Sequence, residues 1–282
     1  PVDMATPAPV QDCASDPRDQ ALLNRLQGTA SMEALMDESS PQGRAFVFLQ
    51  DDPLADPCDL STTVVEERYA LAVWFYATNG EQWQRNGGWL SEGTQCEWFG
   101  VECDVDTGTV IGLVLSKYYH MDMIKVLTQT SADDNNLAGS IPSEIAQLSD
   151  LQNLRIFRNA LQDELPSSMG EMNDLTQMDA EENALRGNPW STISRMTNLR
   201  RLRLGLNSLS GNIPDEIGNL DKMRELWIPN NFMTGSLPAS IGNMQGLGTC
   251  VFLENFSPTD SLVSESFIFF DNEFTGVLPE SV

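Results

Sequence analysis

Between residues 151 and 228 the apolar positions keep a strict order. Leu151, Leu154, Ile156, Asn159, Leu161, Leu165-Pro166 and Met169 recur 24 residues on as Leu175, Met178, Ala180, Asn183, Leu185, Pro189-Trp190 and Ile193. Further copies begin at Leu199 and Met223, and asparagine stands at 135, 159, 183, 207, 231 and 255, spaced by 24 each time. A fixed period of this length marks a stacked repeat. The fourth and sixth positions of each copy share one face of a short strand, because strand side chains alternate. A unit this small cannot bury that face alone, so neighbours stack and share a continuous core. Asparagine suits a buried turn after the strand, where its amide can bond the backbone of adjacent coils. The G-x-I-P that follows permits a tight bend at Gly and fixes φ at Pro. A second apolar pair, Ile217 and Leu220 in the copy at 199, closes the coil. The pattern predicts one strand per coil in a parallel sheet with strands about 4.8 Å apart, so that six coils make a stack roughly 25 Å long.

The pattern L-x-x-L-x-L-x-x-N-x-L-x-G-x-I-P resembles the plant-type leucine-rich repeat. The segment upstream resembles that family's N-terminal cap: "RYALAVWFYATNGEQW" reads as an amphipathic helix ending at Asn79-Gly80, "NGGWL" and "CEWFGVECD" follow, and "VIGLVLS" is the first strand. Upstream again, "SPQGRAF" and "DDPL" are similar to the version found in secreted or receptor-like proteins of stramenopile algae. The likeness covers about residues 41–282. It implies an α/β solenoid, a leucine-rich-repeat stack of 24-residue repeats with a parallel concave sheet, an N-terminal helical extension and a disulfide cap. On this reading residues 1–61 are the extension, 62–109 the cap and 110–282 the repeats, about six coils with insertions near 116–134 and 256–271. The resemblance also implies a Cys96–Cys103 disulfide, matching the paired cap cysteines, and hence an oxidising compartment. Cys13 and Cys58 are left to staple the extension, and Cys250, at a fourth position, reads as a buried apolar thiol. Two departures stand out. Pro189-Trp190 replaces Ile-Pro, and Asp163 replaces a glycine.

"PRDQALLNRLQGT" and "SPQGRAFVFLQ" carry helix start signals and apolar spacing near 3.6, which predicts a small helical extension packed on the cap. Thr63-Val-Val-Glu66 fits a capping box for the cap helix. The arm before Cys13 reads as an extended segment, disordered unless a partner holds it. "DVDTG" at 104–108 reads as a turn between two cap strands, since the twelfth position of a calcium loop would be Leu115 instead of Glu.

Charge narrows the partners. The 282 residues include 41 acidic and 16 basic side chains, a formal charge of -25, which makes nucleic acid an unsuitable partner. No run of 18 apolar residues marks a membrane span. The chain opens at Pro1 without a hydrophobic leader, as a processed or trimmed chain would. The lone histidine, His120, excludes a multi-histidine metal site and reads as a loop residue. No Gly-rich phosphate loop appears, and 41 carboxylates generate acidic pairs by chance. The sequence therefore predicts no catalytic residue, no metal and no cofactor.

What remains is surface. The positions between the core residues of each strand face the concave side. They include Arg155, Phe157 and Arg158, then Asp179 and Glu181, then Arg201 and Arg203, then Glu225 and Trp227. Two readings stand together. The arginines pair with Asp179, Glu181 and Glu182 across neighbouring strands and merely solvate the sheet, or the face binds, since Arg, Trp and Phe are enriched in contact hot spots. Each insertion adds 17 residues, between Leu115 and Asn135 and between Asn255 and Asn272, and leaves its coil at the C-terminal end of the strand. Tyr118, Tyr119 and Leu262 are then either rim residues flanking the concave face or residues folded back on their own coils. The expected function is recognition of a protein or peptide ligand by a secreted or cell-surface protein; the alternative is a structural subunit of an extracellular or organelle-lumen assembly. Because "GVLPESV" stops part-way through a coil, further sequence or another chain is expected to cover that end.

Overall fold

The computed structural model describes residues 17–116, 135–244, 250–251, 267–268 and 272–275. Helices α1 (Arg18–Leu26), α2 (Met32–Met36), α3 (Pro41–Asp51) and α4 (Val64–Ala77) come first, and α5 (Trp190–Ile193) lies within the repeats. The strands are β1 (Val101–Cys103), β2 (Val110–Val114), β3 (Ala138–Ser140), β4 (Asn153–Arg155), β5 (Ala160–Asp163), β6 (Gln177–Asp179), β7 (Ala184–Gly187), β8 (Arg201–Arg203), β9 (Ser208–Asn212), β10 (Glu225–Trp227), β11 (Phe232–Gly235), β12 (Cys250–Val251), β13 (Phe267–Ile268) and β14 (Glu273–Phe274).

Ser31 and Ser40 cap α2 and α3, accepting from the N–H groups of Ala34 and Gly43, as Ser does at helix starts. The capping box expected at Thr63 does not form. The Thr63 hydroxyl instead donates to Glu67 at 3.2 Å, and Glu66 is drawn to Arg25 of α1 at 2.7 Å. Nor is α4 amphipathic. Residues from Val65 to Phe75 are buried on almost every side, because the extension covers the face that would otherwise meet water. Leu22, Leu26, Leu35, Leu49, Tyr69 and Val73 form that second core. The helix stops where Asn79 turns left-handed at φ 59.

Each coil contributes two strands, not the one expected. The first sheet runs β1-β2-β4-β6-β8-β10-β13-β12 and the second β14-β11-β9-β7-β5-β3. In the first, Leu154, Met178, Leu202 and Leu226 lie in register across parallel strands. Among the described residues only β1 runs antiparallel, joined to β2 by the turn at Asp104, whose carboxylate accepts the N–H groups of Asp106 and Thr107 at 2.9 Å each. The second sheet exists because the residues after the ladder asparagine stay extended until a left-handed position every 24 residues turns the chain. Glycines 139, 187, 211 and 235 occupy it with φ of 113, 76, 92 and 77. Asp163 takes the same place at φ 67, held by hydrogen bonds from the Ser140 hydroxyl and Arg186. At the other departure, Trp190 is buried and opens α5.

The asparagines tie the coils together. Asn207 accepts the Leu185 N–H at 3.0 Å and donates to the carbonyls of Ala180 at 3.0 Å, Leu204 at 3.1 Å and Gly205 at 3.1 Å. Asn183 and Asn231 repeat this set. The rung after Asn231 is Asn272, which accepts the Met233 N–H at 3.0 Å and donates to the Ile228 carbonyl at 2.9 Å. Accordingly β13 pairs with β10, and β12 takes the outer edge of β13. The 24-residue period predicts Cys250 beside β10 and Asn255 on the ladder. Phe267 pairs with Leu226, and the step from Phe267 to Asn272 equals that from Leu226 to Asn231, so this segment satisfies the ladder. Asn255 lies outside the described residues.

A continuous core runs from Trp74, Trp83, Trp89 and Trp98 in the cap to Met244. It makes the first sheet a rigid platform.

Candidate functional site

The platform's open face follows from strand alternation. Leu154, Met178, Leu202 and Leu226 point into the core, so the residues on either side point away from it. Register then lines up Asn153, Gln177, Arg201 and Glu225 in one row, and Arg155, Asp179, Arg203 and Trp227 in the next. Beyond the strand ends come Phe157, Glu181, Gly205 and Pro229, and then Arg158, Glu182, Leu206 and Asn230. The last four all hold left-handed backbone, with φ of 53, 52, 54 and 53. Each directly precedes a ladder asparagine, and the turn at this point aims that amide inward.

The charges on this face are unevenly matched. Arg158 donates to both carboxylate oxygens of Glu182 at 3.0 Å. Arg203 pairs with Glu225, and Arg201 Nε lies 3.7 Å from the other Glu225 oxygen, so one carboxylate serves two arginines. Of the cross-strand pairings expected with Asp179, Glu181 and Glu182, the Arg158–Glu182 pair forms. Arg155 donates to Asn153 Oδ1 at 3.1 Å and Gln177 Oε1 at 3.4 Å, both neutral acceptors. Among the described residues, neither Asp179 nor Glu181 forms an ion pair.

Asp179 accepts the Glu181 N–H at 3.3 Å, and Glu181 accepts the Trp227 indole N–H at 2.8 Å. Burial pushes the Asp179 carboxyl up to about 6, against the pull of Arg203 and Arg155. Burial, and then repulsion from Asp179, pushes Glu181 up to about 7. The indole reaches across β8 because residue 205 is glycine: a Cβ there would lie 2.9 Å from Trp227 Nε1 and 3.0 Å from Pro229 Cδ. Gly205 is a predicted concave-face position of its repeat, though not one expected to make contacts. The signal for it was in the sequence, as a gap in a row of otherwise full-sized side chains. Phe157 is half-buried, and Leu206 is 45% exposed at the margin of the face.

The remaining expectations divide. Cys96 and Cys103 are joined, and Cys58 is also disulfide-bonded, while Cys13 lies outside the described residues. So do Tyr118, Tyr119, His120 and Leu262. Among the described residues no cluster of three metal-ligating side chains occurs, and no helix is long and apolar enough to cross a membrane. A second polar constellation escaped the sequence reading. Arg68 in α4 pairs with Asp52 at the end of α3, both side chains fully buried, and its guanidinium lies 4.9 Å from the Trp98 ring and 5.6 Å from the Phe48 ring. It joins extension to cap and faces no opening.

Comparison with known proteins agrees with the geometry. The Leucine Rich Repeat family model matches residues 198–220. The leucine-rich-repeat ectodomain of the plant membrane receptor kinase GASSHO1/SCHENGEN3 from Arabidopsis thaliana, solved with CASPARIAN STRIP INTEGRITY FACTOR 2, is 26% identical over 67% of this chain with a TM-score of 0.51. The match spans 22% of that receptor chain. The ectodomain of the Arabidopsis thaliana receptor kinase SOBIR1 is 23% identical over 74% of this chain and 94% of its own, with a TM-score of 0.53. A plant ice-binding protein is 23% identical over 78% of this chain and 57% of its own, at 0.55. No curated protein sequence matches the chain. The fold is a leucine-rich-repeat solenoid of the kind found in plant receptor ectodomains.

Proposed function

We propose that this chain is a non-enzymatic recognition module that binds a protein or peptide across its concave sheet, outside the cell or at its surface. The observation that carries the reading is the two-row array from Asn153 to Trp227, in which arginines, carboxylates and an indole are fixed on a backbone that the asparagine ladder holds rigid. Preorganised aromatic and arginine side chains lose little entropy on binding. The disulfide between Cys96 and Cys103 suits an oxidising compartment. The GASSHO1/SCHENGEN3 ectodomain was solved with a bound factor, which gives the same fold a precedent for binding. The proposal keeps the extension at 1–61, the cap at 62–109 and the repeats at 110–282. It also sets Tyr118, Tyr119 and Leu262 on rims beside the face.

The second reading is a structural subunit of an extracellular or organelle-lumen assembly. It draws on the Arg158–Glu182 and Arg203–Glu225 pairs, which already satisfy part of the face without a ligand. Affinity capture from native material, followed by mass spectrometry, tests the two. Recognition requires that a partner held by the wild-type chain be lost with Arg155→Ala plus Trp227→Ala and kept with Glu216→Ala on the opposite side. A partner held equally by all three forms refutes concave binding and favours the structural role.

A further inference from the structure

We infer that the concave face is built to receive a basic side chain, a guanidinium or ammonium group of an extended peptide, at Asp179 and Glu181 beside the Trp227 indole. The inference rests on the recognition reading above and names the chemistry of its ligand.

Two carboxylates of the face are already taken. Glu182 is engaged by Arg158, and Glu225 by Arg203 and Arg201. Asp179 and Glu181 are two residues apart on one strand line, so both face outward on the same side. Neither has an ion-pair partner among the described residues, and each has one hydrogen bond there, from the Glu181 N–H and from the Trp227 indole. Two carboxylates with spare acceptor capacity, half-buried and repelling one another, are stabilised by one added cation. Arg155 lies next to Asp179 in the row but is held by Asn153 and Gln177, which leaves Asp179 open.

The neighbouring ring completes the recognition chemistry. Trp227 uses its N–H edge on Glu181, which fixes that carboxylate in place while leaving its other oxygen to accept from a cation. A guanidinium suits the place best, since its planar fork of donors can serve two carboxylates together. The half-buried Phe157, beside Glu181 in its row, and the exposed Leu206 in the row beyond are apolar ground for the residues flanking the basic one. The chain's charge of -25 draws cationic peptides from solution.

Proton linkage follows from the same arrangement. Arg155 on β4, Arg203 on β8, Glu225 on β10 and Glu182 on the site's own coil are the charged groups facing Asp179 and Glu181. With these two carboxyls held at about 6 and about 7, a cation must displace protons at acidic pH. Peptide affinity therefore weakens as pH falls from about 8 to about 5.

A random heptapeptide library selected against the whole chain tests the inference. The expected result is enrichment of Arg or Lys at one position by about tenfold or more over the same selection on Asp179→Asn plus Glu181→Gln. Replacing the enriched Arg by citrulline, its neutral isostere, should weaken binding by a similar factor. No basic enrichment, enrichment of acidic residues, or equal enrichment by the double variant overturns the inference. The recognition reading fails separately, when a native partner is indifferent to Arg155→Ala plus Trp227→Ala. If that partner depends on those side chains while the library shows no basic preference, only the present inference falls.

Discussion

Trp227 on β10 donates its indole N–H to Glu181, 46 residues earlier, at 2.8 Å, and it does so over Gly205 of the coil between them. The contact spans three coils and exists only because the middle one carries no side chain there. Gly205→Ala introduces a Cβ 2.9 Å from Trp227 Nε1 and 3.0 Å from the Pro229 ring. The expected outcome is displacement of the indole at a cost of about 1–3 kcal/mol, read as a lower denaturant midpoint and altered tryptophan fluorescence. In a Trp227→Phe background the same substitution should cost measurably less. Equal cost in both backgrounds would show that the indole is not what fills the space.

The ladder gives a sharper stability test. Asn207→Ala removes one acceptor and a pair of donor hydrogens that serve Leu185, Ala180, Leu204 and Gly205. The side chain is 8% exposed, so the freed backbone groups find little water. About 2–4 kcal/mol should be lost. Asn198→Ala, which removes exposed bonds to the Asn173 carbonyl and from Lys222, should cost well under about 1 kcal/mol. Urea unfolding of the two variants decides it; similar losses would mean that the ladder adds nothing beyond ordinary surface bonding.

The rungs at 135, 159, 183, 207 and 231 were legible because the ladder needs the same amide at the same place in every coil, and such a demand leaves a period in the sequence. The second sheet was not legible: its strands need only extended backbone between the asparagine and the left-handed turn, and several residue types supply that, as Asp163 shows in a glycine's place. The concave array was legible as a set of positions, yet its pairing was not. Arg203 had carboxylates on both sides, Asp179 and Glu225, and only side-chain geometry sends it to Glu225. That Asn272 takes the rung after Asn231 was not legible, because counting by 24 cannot tell an insertion before a strand from one after it. The Asp52–Arg68 pair lies outside any repeat and leaves no periodic trace.

That pair makes the extension part of the cap. Arg68 also donates to the carbonyls of Gly93 at 3.0 Å and Ser91 at 3.1 Å, so it holds α3, α4 and the following loop together. Arg68→Met leaves Asp52 buried without its cation and should cost about 3–5 kcal/mol. Arg68→Met with Asp52→Asn should cost less than the two single changes added together. Denaturant unfolding of the three variants measures the coupling, and strict additivity would contradict a direct pair.

The disulfide contributes at the same end of the molecule. Cys96 and Cys103 are separated by 7 in sequence, and closing so short a loop in the unfolded chain is worth about 2–3 kcal/mol. Replacing both by Ser should lower stability by that amount and leave the repeats folded, with the cap opening first in hydrogen exchange. Mass spectrometry of native protein should find the pair joined; two free thiols would remove the argument for an oxidising compartment.

The last prediction concerns pH, and its sign is opposite to that of most carboxylates. Burial holds Asp179 at about 6 and Glu181 at about 7, above the values of an unfolded chain. The folded state therefore binds their protons more tightly than the unfolded state does. Their contribution to stability is fully present below the unfolded values, near about 4, and is lost as pH rises through about 6 to 7. Asp179→Asn plus Glu181→Gln removes that loss. The double variant should match wild type near pH 4 and melt higher near pH 8, by about 2–4 °C for each kcal/mol of relieved repulsion and desolvation. Only the difference between variant and wild type is diagnostic, because burial also raises Glu67, while hydrogen bonds from Ser39, Ser61, Thr107 and Ser140 lower Asp37, Asp59, Asp104 and Asp163. A difference in melting temperature that stays constant from pH 4 to pH 8 would show that these two carboxylates are not held above their ordinary range. The electrostatic case for an incoming cation would then rest on geometry alone.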